Sequence, residues 1–118
     1  MPDDRPVLVV ISADPRSSHR ANEAMRIGLG IVAGENEVTF VLRGPAVHLL
    51  DADTDDLADG DDIAKFRANL KRLDIPFHVE PADIPADADW NADGHPLRRL
   101  ERRDLVALIR EARQVMVF

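Results

Sequence analysis

Few residues of this chain combine types and spacing that can do chemistry. Asp89-Trp90-Asn91-Ala92-Asp93-Gly94 opens like a D-x-N-x-D-G calcium loop. Such a loop sets oxygens at alternate positions around a hard cation and uses a glycine for the sharp turn. Its twelfth position is a bidentate glutamate; here that position is Leu100, Glu101 comes one place late, and Pro96 lies inside the loop. Asp51-Ala52-Asp53-Thr54-Asp55 is a second near-match, with Asp56 where glycine belongs and Asp62 at the twelfth place. Aspartates also make turns through their own backbone hydrogen bonds, so solvated acidic loops are the favoured reading. Calcium held by Asp89, Asn91 and Asp93 is the weaker one. Gly28-Leu29-Gly30-Ile31-Val32-Ala33 fits G-x-G-x-x-A but falls late in a helical pattern, so its glycines are read as packing residues. His19, His48, His78 and His95 form neither an H-x-x-x-H pair nor an H-E-x-x-H helix. There is no G-x-S-x-G elbow and no cysteine, which removes thiolate chemistry and disulfides. No catalytic nucleophile is assigned.

The elements that must position these side chains follow from the apolar spacing. Residues 6–11 form a continuous aliphatic run, as in a strand covered on both faces. Ser17 and Ser18 are placed to cap the helix that follows. Its face is Ala21, Ala24, Met25, Gly28, Ile31 and Val32, and Gly34 is placed to stop it. Residues 37–42 read as a second strand, and residues 46–50 as one or two helical turns. Residues 51–62 read as an exposed acidic loop. Ile63, Phe66, Leu70 and Leu73 give helical spacing over residues 61–73, and residues 75–79 a short third strand. Pro81, Pro85, Gly94 and Pro96 keep residues 80–96 irregular. Residues 97–100 are a fourth strand. Leu105, Leu108, Ile109 and Ala112 mark a last helix, and residues 114–118 a final buried strand that leaves no tail for function. Strands alternating with helices predict βαβ units and a mostly parallel sheet with helices on both faces, in one domain over residues 1–118.

Ligands of open α/β sheets bind beyond the carboxyl ends of the strands. Those ends are expected to present Ser12, Asp14, Ser17, Arg43, Glu80 and Asp83, with His48 and Trp90 near them. Ser17, at a helix start, can meet a small anion, and Arg43 can pair with a carboxylate or phosphate. The plainer reading makes Ser17 a cap and Arg43 the partner of a neighbouring acid. The basic cluster Arg98-Arg99-Leu100-Glu101-Arg102-Arg103 is expected to pair with the acidic loops, within one chain or between copies.

The order of elements is familiar. An opening Val-Leu-Val-Val-Ile-Ser leads to an alanine-rich helix ending Gly-Ile-Val-Ala-Gly, then to residues 37–47 (Glu-Val-Thr-Phe-Val-Leu-Arg-Gly-Pro-Ala-Val). A helix ending Leu73-Asp74-Ile75-Pro76 follows, and the chain closes on residues 105–110 and 115–118. Over nearly its whole length this pattern resembles the DsrE/DsrF-like family, which includes the sulfur-relay Tus proteins. The resemblance implies a three-layer α/β/α sandwich with a five-stranded parallel sheet, assembled as dimers, trimers or hexamers or with related DsrE-like subunits. In sulfur-relay members a cysteine just after the third strand carries a persulfide. The matching stretch here is Val79-Glu80-Pro81-Ala82-Asp83-Ile84, without cysteine, so this chain cannot be the carrier.

Composition narrows the partners. Twenty-two acids against 15 bases give a net charge of −7, which disfavours phosphate-backbone binding, and 4% aromatics are too few for a base-stacking surface. The apolar run Val7–Ile11 is far short of the ~20 residues that span a bilayer. The expectation is a cytoplasmic, non-catalytic, self-associating accessory protein without a cofactor, nucleic acid or membrane partner. The alternatives are a small-molecule sensor or enzyme with a polar strand-end pocket, and calcium binding through residues 89–94.

Overall fold

The computed structural model describes residues 4–118. In chain order the elements are β1 (Val7–Ile11), α1 (Arg20–Ala33), β2 (Val38–Leu42), a 3₁₀ helix (Gly44–Leu50), α2 (Gly60–Arg72), β3 (Phe77–Val79), a 3₁₀ turn (Pro81–Asp83), β4 (Leu97–Arg99), α3 (Arg102–Glu111) and β5 (Gln114–Val117). The five strands form one sheet in the order β4-β3-β2-β1-β5, and every pairing is parallel. The expected three-layer α/β/α architecture is therefore present.

The layering follows from the right-handedness of parallel crossovers. Steps from β1 to β2 to β3 move one way across the sheet, so α1 and α2 share a face. The step from β4 to β5 moves back, so α3 lies on the other face. Alternation along the strands divides the core accordingly. Val7, Val9 and Ile11 of β1 join Phe40, Leu42, Phe77 and Val79 beneath Ala21, Ala24, Met25, Ile63 and Leu70 of the two helices. Leu8, Val10 and Val41 face the other way, against Leu100 and Leu105. All five residues of β1 are buried, as a central strand requires.

Several boundaries differ from the sequence reading, each for a local reason. Ser17 does not cap α1. That helix begins at Arg20 with His19 at its N-cap, and Ser17 sits in the preceding turn, its amide donating to the Asp14 carbonyl at 3.2 Å. Ser18 Oγ accepts from the Arg20 amide at 3.1 Å instead. Gly34 does follow α1, but with φ −82°; the left-handed residue that turns the chain is Glu35, at φ 64°. β3 starts only at Phe77, because the Ile75 amide closes the end of α2 on the Leu70 carbonyl and Pro76 has no N–H to give. β4 stops at Arg99, one residue earlier than expected. The acidic loop is not wholly exposed: Leu57 is buried, and α2 already begins at Gly60. α3 opens with a capping box, in which Asp104 accepts from the Glu101 amide at 2.9 Å. Within one chain the basic cluster does not reach the acidic loops; its ion pair among the described residues is Arg103 with Glu101.

The largest correction concerns β5. It is an edge strand, not a buried one, and Val117 is 64% exposed. Val115 and Val117 lie in register with Leu8 and Val10, hence on the face that α3 covers alone.

Candidate functional site

The carboxyl ends of β1, β2 and β3 gather most of the side chains named from sequence. Asp14, in the turn after β1, takes a two-pronged contact from Arg16: Nε donates to Oδ1 at 3.0 Å and Nη2 to Oδ2 at 2.9 Å. The Arg16 guanidinium holds the Asp14 carboxyl below the usual carboxylate range, and His48 adds a smaller pull in the same direction. His48, half-buried in the 3₁₀ helix after β2, lies 3.0 and 3.2 Å from the Asp51 carboxylate oxygens through Nδ1. If Nδ1–H donates to Asp51, Nε2 keeps its lone pair and the ring is oriented as a general base would be. No serine, threonine or other nucleophile is hydrogen-bonded to it among the described residues.

The remaining strand-end residues form a second group. The Asp83 carboxylate accepts from the Gly44 amide at 3.1 Å, tying the turn after β3 to the 3₁₀ helix after β2. The Arg43 amide donates to Ile11 O at 2.9 Å, and its half-buried guanidinium has no bonding partner among the described residues. Glu80 Oε1, at the end of β3, is buried and has no hydrogen-bond partner among the described residues. Ser12 and Ser17 are exposed, and Trp90 Nε1 donates to Val47 O at 2.8 Å, which seats the ring under the same 3₁₀ helix. Asp14 and His48 are thus brought together with Arg16 and Asp51; Ser17 is left outside.

The calcium reading does not match the geometry. Asp89 Oδ2 accepts from the Asp53 amide at 3.2 Å, Asn91 pairs both ways with the backbone of His95 at 3.1 and 2.9 Å, and Asp93 binds Arg67 at 3.0 Å. The three side chains serve three different neighbours. Among the described residues no group of three acids or histidines is placed to hold a metal ion.

Arg67 had no signal in the sequence, and Asp51 stood out there only as the first residue of a calcium-loop near-match. Arg67, on α2, is only 7% exposed. Its Nη1 donates to Leu49 O at 2.8 Å and Asp51 O at 2.7 Å, and its Nη2 to Asp93 at 3.0 Å. The carbonyls at the end of the 3₁₀ helix lack helical partners, and this buried guanidinium supplies them. Lys71, one helical turn on, donates to the Asp93 carbonyl. A charged residue four places from another on an amphipathic helix reads as solvent-facing in sequence; only the fold turns Arg67 inward. His95 is 3% exposed, its Nε2–H donating to Ile75 O at 2.9 Å and its ring 4.7 Å from that of Phe77. Burial lowers the pKa of His95, and that of His78, whose Nδ1–H donates to Phe40 O at 3.2 Å.

This geometry defines a class: a three-layer α/β/α domain on an all-parallel five-stranded sheet, with its polar residues at the strand ends. No family model and no curated protein matches the chain. Among solved structures, the crystal structure of the YchN protein from E. coli, a DsrE-like fold, is similar to it with a TM-score of 0.71 and 15% sequence identity. The match covers 97% of this chain and 99% of that one. At this identity the likeness is one of fold. No helix among the described residues is long and apolar enough to cross a membrane.

Proposed function

We propose that this chain is a non-catalytic, self-associating accessory protein of the DsrE-like type, working beside sulfur-handling partners and carrying no persulfide itself. A persulfide carrier needs a sulfur atom, and the position after β3 that bears it in the sulfur-relay family holds Glu80, Pro81, Ala82 and Asp83. The observation that carries the reading is the exposed apolar side chains of α3 and of the edge strand β5. Val106 and Ile109 of α3 and Val115 and Val117 of β5 are four of the five large apolar side chains exposed among the described residues. Isolated exposed valines are ordinary; a strip of them along an unpaired sheet edge is a feature soluble monomers avoid. A second copy that covers the strip protects both the apolar area and the free backbone edge of β5. Native mass spectrometry at micromolar concentration is expected to give an oligomer, and treatment with polysulfide to add no covalent sulfur. A spectrum of monomer alone rejects the proposal.

A second reading, a small-molecule sensor at the strand ends, draws on the Arg43 guanidinium, which has no bonding partner among the described residues. It predicts a thermal shift with phosphate, sulfate or citrate that Arg43→Ala and His48→Ala abolish. Equal shifts in all three proteins would dispose of it.

A further inference from the structure

The face of the sheet opposite the α3–β5 strip carries a different opening. Between the last turns of α1 and α2 lies a groove of about 540 Å³, within the size range of small-molecule sites. Its walls are apolar: Leu29, Val32 and Ala33 on one side, Phe66 and Leu73 on the other. Leu73 is 54% exposed, so apolar surface here is left open to water.

Two details distinguish this groove from a chance gap between helices. The first is Gly30. A Cβ built there meets no atom within 4 Å, so no close packing requires glycine at this point in the last turns of α1. Glycine in a helix interior is unfavourable, and here it leaves volume free at the groove wall. The second is Arg72, the one charged side chain lining the groove. Its guanidinium donates to the neutral Asn69 side chain and has no carboxylate partner among the described residues, although the chain carries a net charge of −7. An occupant of matching chemistry has an apolar body for the walls and an anionic head for the guanidinium.

We infer that the α1–α2 groove binds a small anionic amphiphile, with its hydrocarbon chain along Leu29, Val32, Phe66 and Leu73 and its carboxylate at Arg72. The inference is independent of the proposed self-association, which uses the other face.

The test follows amide resonances of Gly30, Ala33 and Leu73 by NMR during titration with octanoate, octanol and octylamine. Octanoate is expected to shift them saturably and to bind at least fivefold more tightly than octylamine. Hexanoate is expected to bind more weakly, by about two- to fourfold for each methylene removed. Arg72→Gln is expected to abolish the preference for octanoate while leaving octanol binding unchanged. Gly30→Leu fills the groove and is expected to abolish binding of all three; Ala33→Phe, on an exposed wall position, serves if Gly30→Leu disturbs the fold. The inference is overturned by the absence of saturable shifts, by equal affinity for the anionic and cationic probes, or by unchanged binding in a folded groove-filling variant. It is also overturned if these resonances depend on protein concentration without ligand, because a second copy then occupies the groove.

Discussion

Gly28 lies against the edge of the Phe40 ring: a Cβ placed on Gly28 would stand 2.4 Å from Phe40 Cε1. Phe40 is fully buried on the central part of the sheet and meets Phe77 edge to face at 5.6 Å. It has nowhere to retreat, so the missing side chain sets how closely α1 approaches β2. Gly28→Ala is expected to destabilise the fold by about 1–3 kcal/mol, the usual cost of overpacking. Gly30→Ala, two residues away with open space, is expected to stabilise it by about 0.5–1 kcal/mol. Urea denaturation of the two variants checks the contrast; equal effects would contradict the packing described for α1.

Arg67 supports a second prediction. Replacing it by methionine keeps much of the buried stem but leaves the Leu49 and Asp51 carbonyls without their donor. Each unsatisfied buried group costs about 1–3 kcal/mol, so a total loss of roughly 2–6 kcal/mol is expected. Arg67→Lys is expected to recover only part of it, because a single ammonium cannot reproduce the fork that spans two carbonyls and the Asp93 carboxylate. Chemical denaturation midpoints measure both. A lysine variant as stable as the parent would contradict the geometry.

His78 and His95 predict the direction of acid sensitivity. Burial lowers both from the ordinary value of 6.5. In the unfolded chain they take up protons as pH falls through 6.5, while the folded protein resists until a lower pH. The unfolded state then binds more protons, so stability declines as pH drops below 6.5 and levels off below the folded values. The His19–Asp59 pair, 2.6 Å apart, acts oppositely: Asp59 raises the His19 pKa, and the stability this adds disappears as pH rises through the folded value. His19 is exposed and solvent screens the pair, so the buried histidines are expected to dominate. Urea midpoints at pH 7.5 and 5.5 should differ in the parent and differ less in a His95→Gln variant. An unchanged difference would exclude His95 as a contributor.

Much of this fold was legible in the sequence because its signals are local. The unbroken run Val7–Ile11 marked a central parallel strand, and the spacing of Ile63, Phe66 and Leu70 marked α2. What escaped was non-local. Nothing in the composition of residues 114–118 distinguishes a central strand from an edge strand; that depends on where α3 delivers the chain. Arg67 turns inward only because the 3₁₀ helix ends with carbonyls beside it. The His48–Asp51 contact spans three residues but needs a 3₁₀ turn to form. Asp89, Asn91 and Asp93 have calcium-loop spacing, yet His95 and Arg67 claim two of them for loop and helix contacts.

The proposed self-association uses the exposed apolar residues of α3 and β5. Sedimentation equilibrium of the parent beside an Ile109→Asp, Val117→Asp double variant tests it most directly, since both positions are exposed and tolerate charge in a monomer. The parent is expected to sediment as an oligomer and the folded variant as a monomer. A folded variant with the parent's mass would contradict the account.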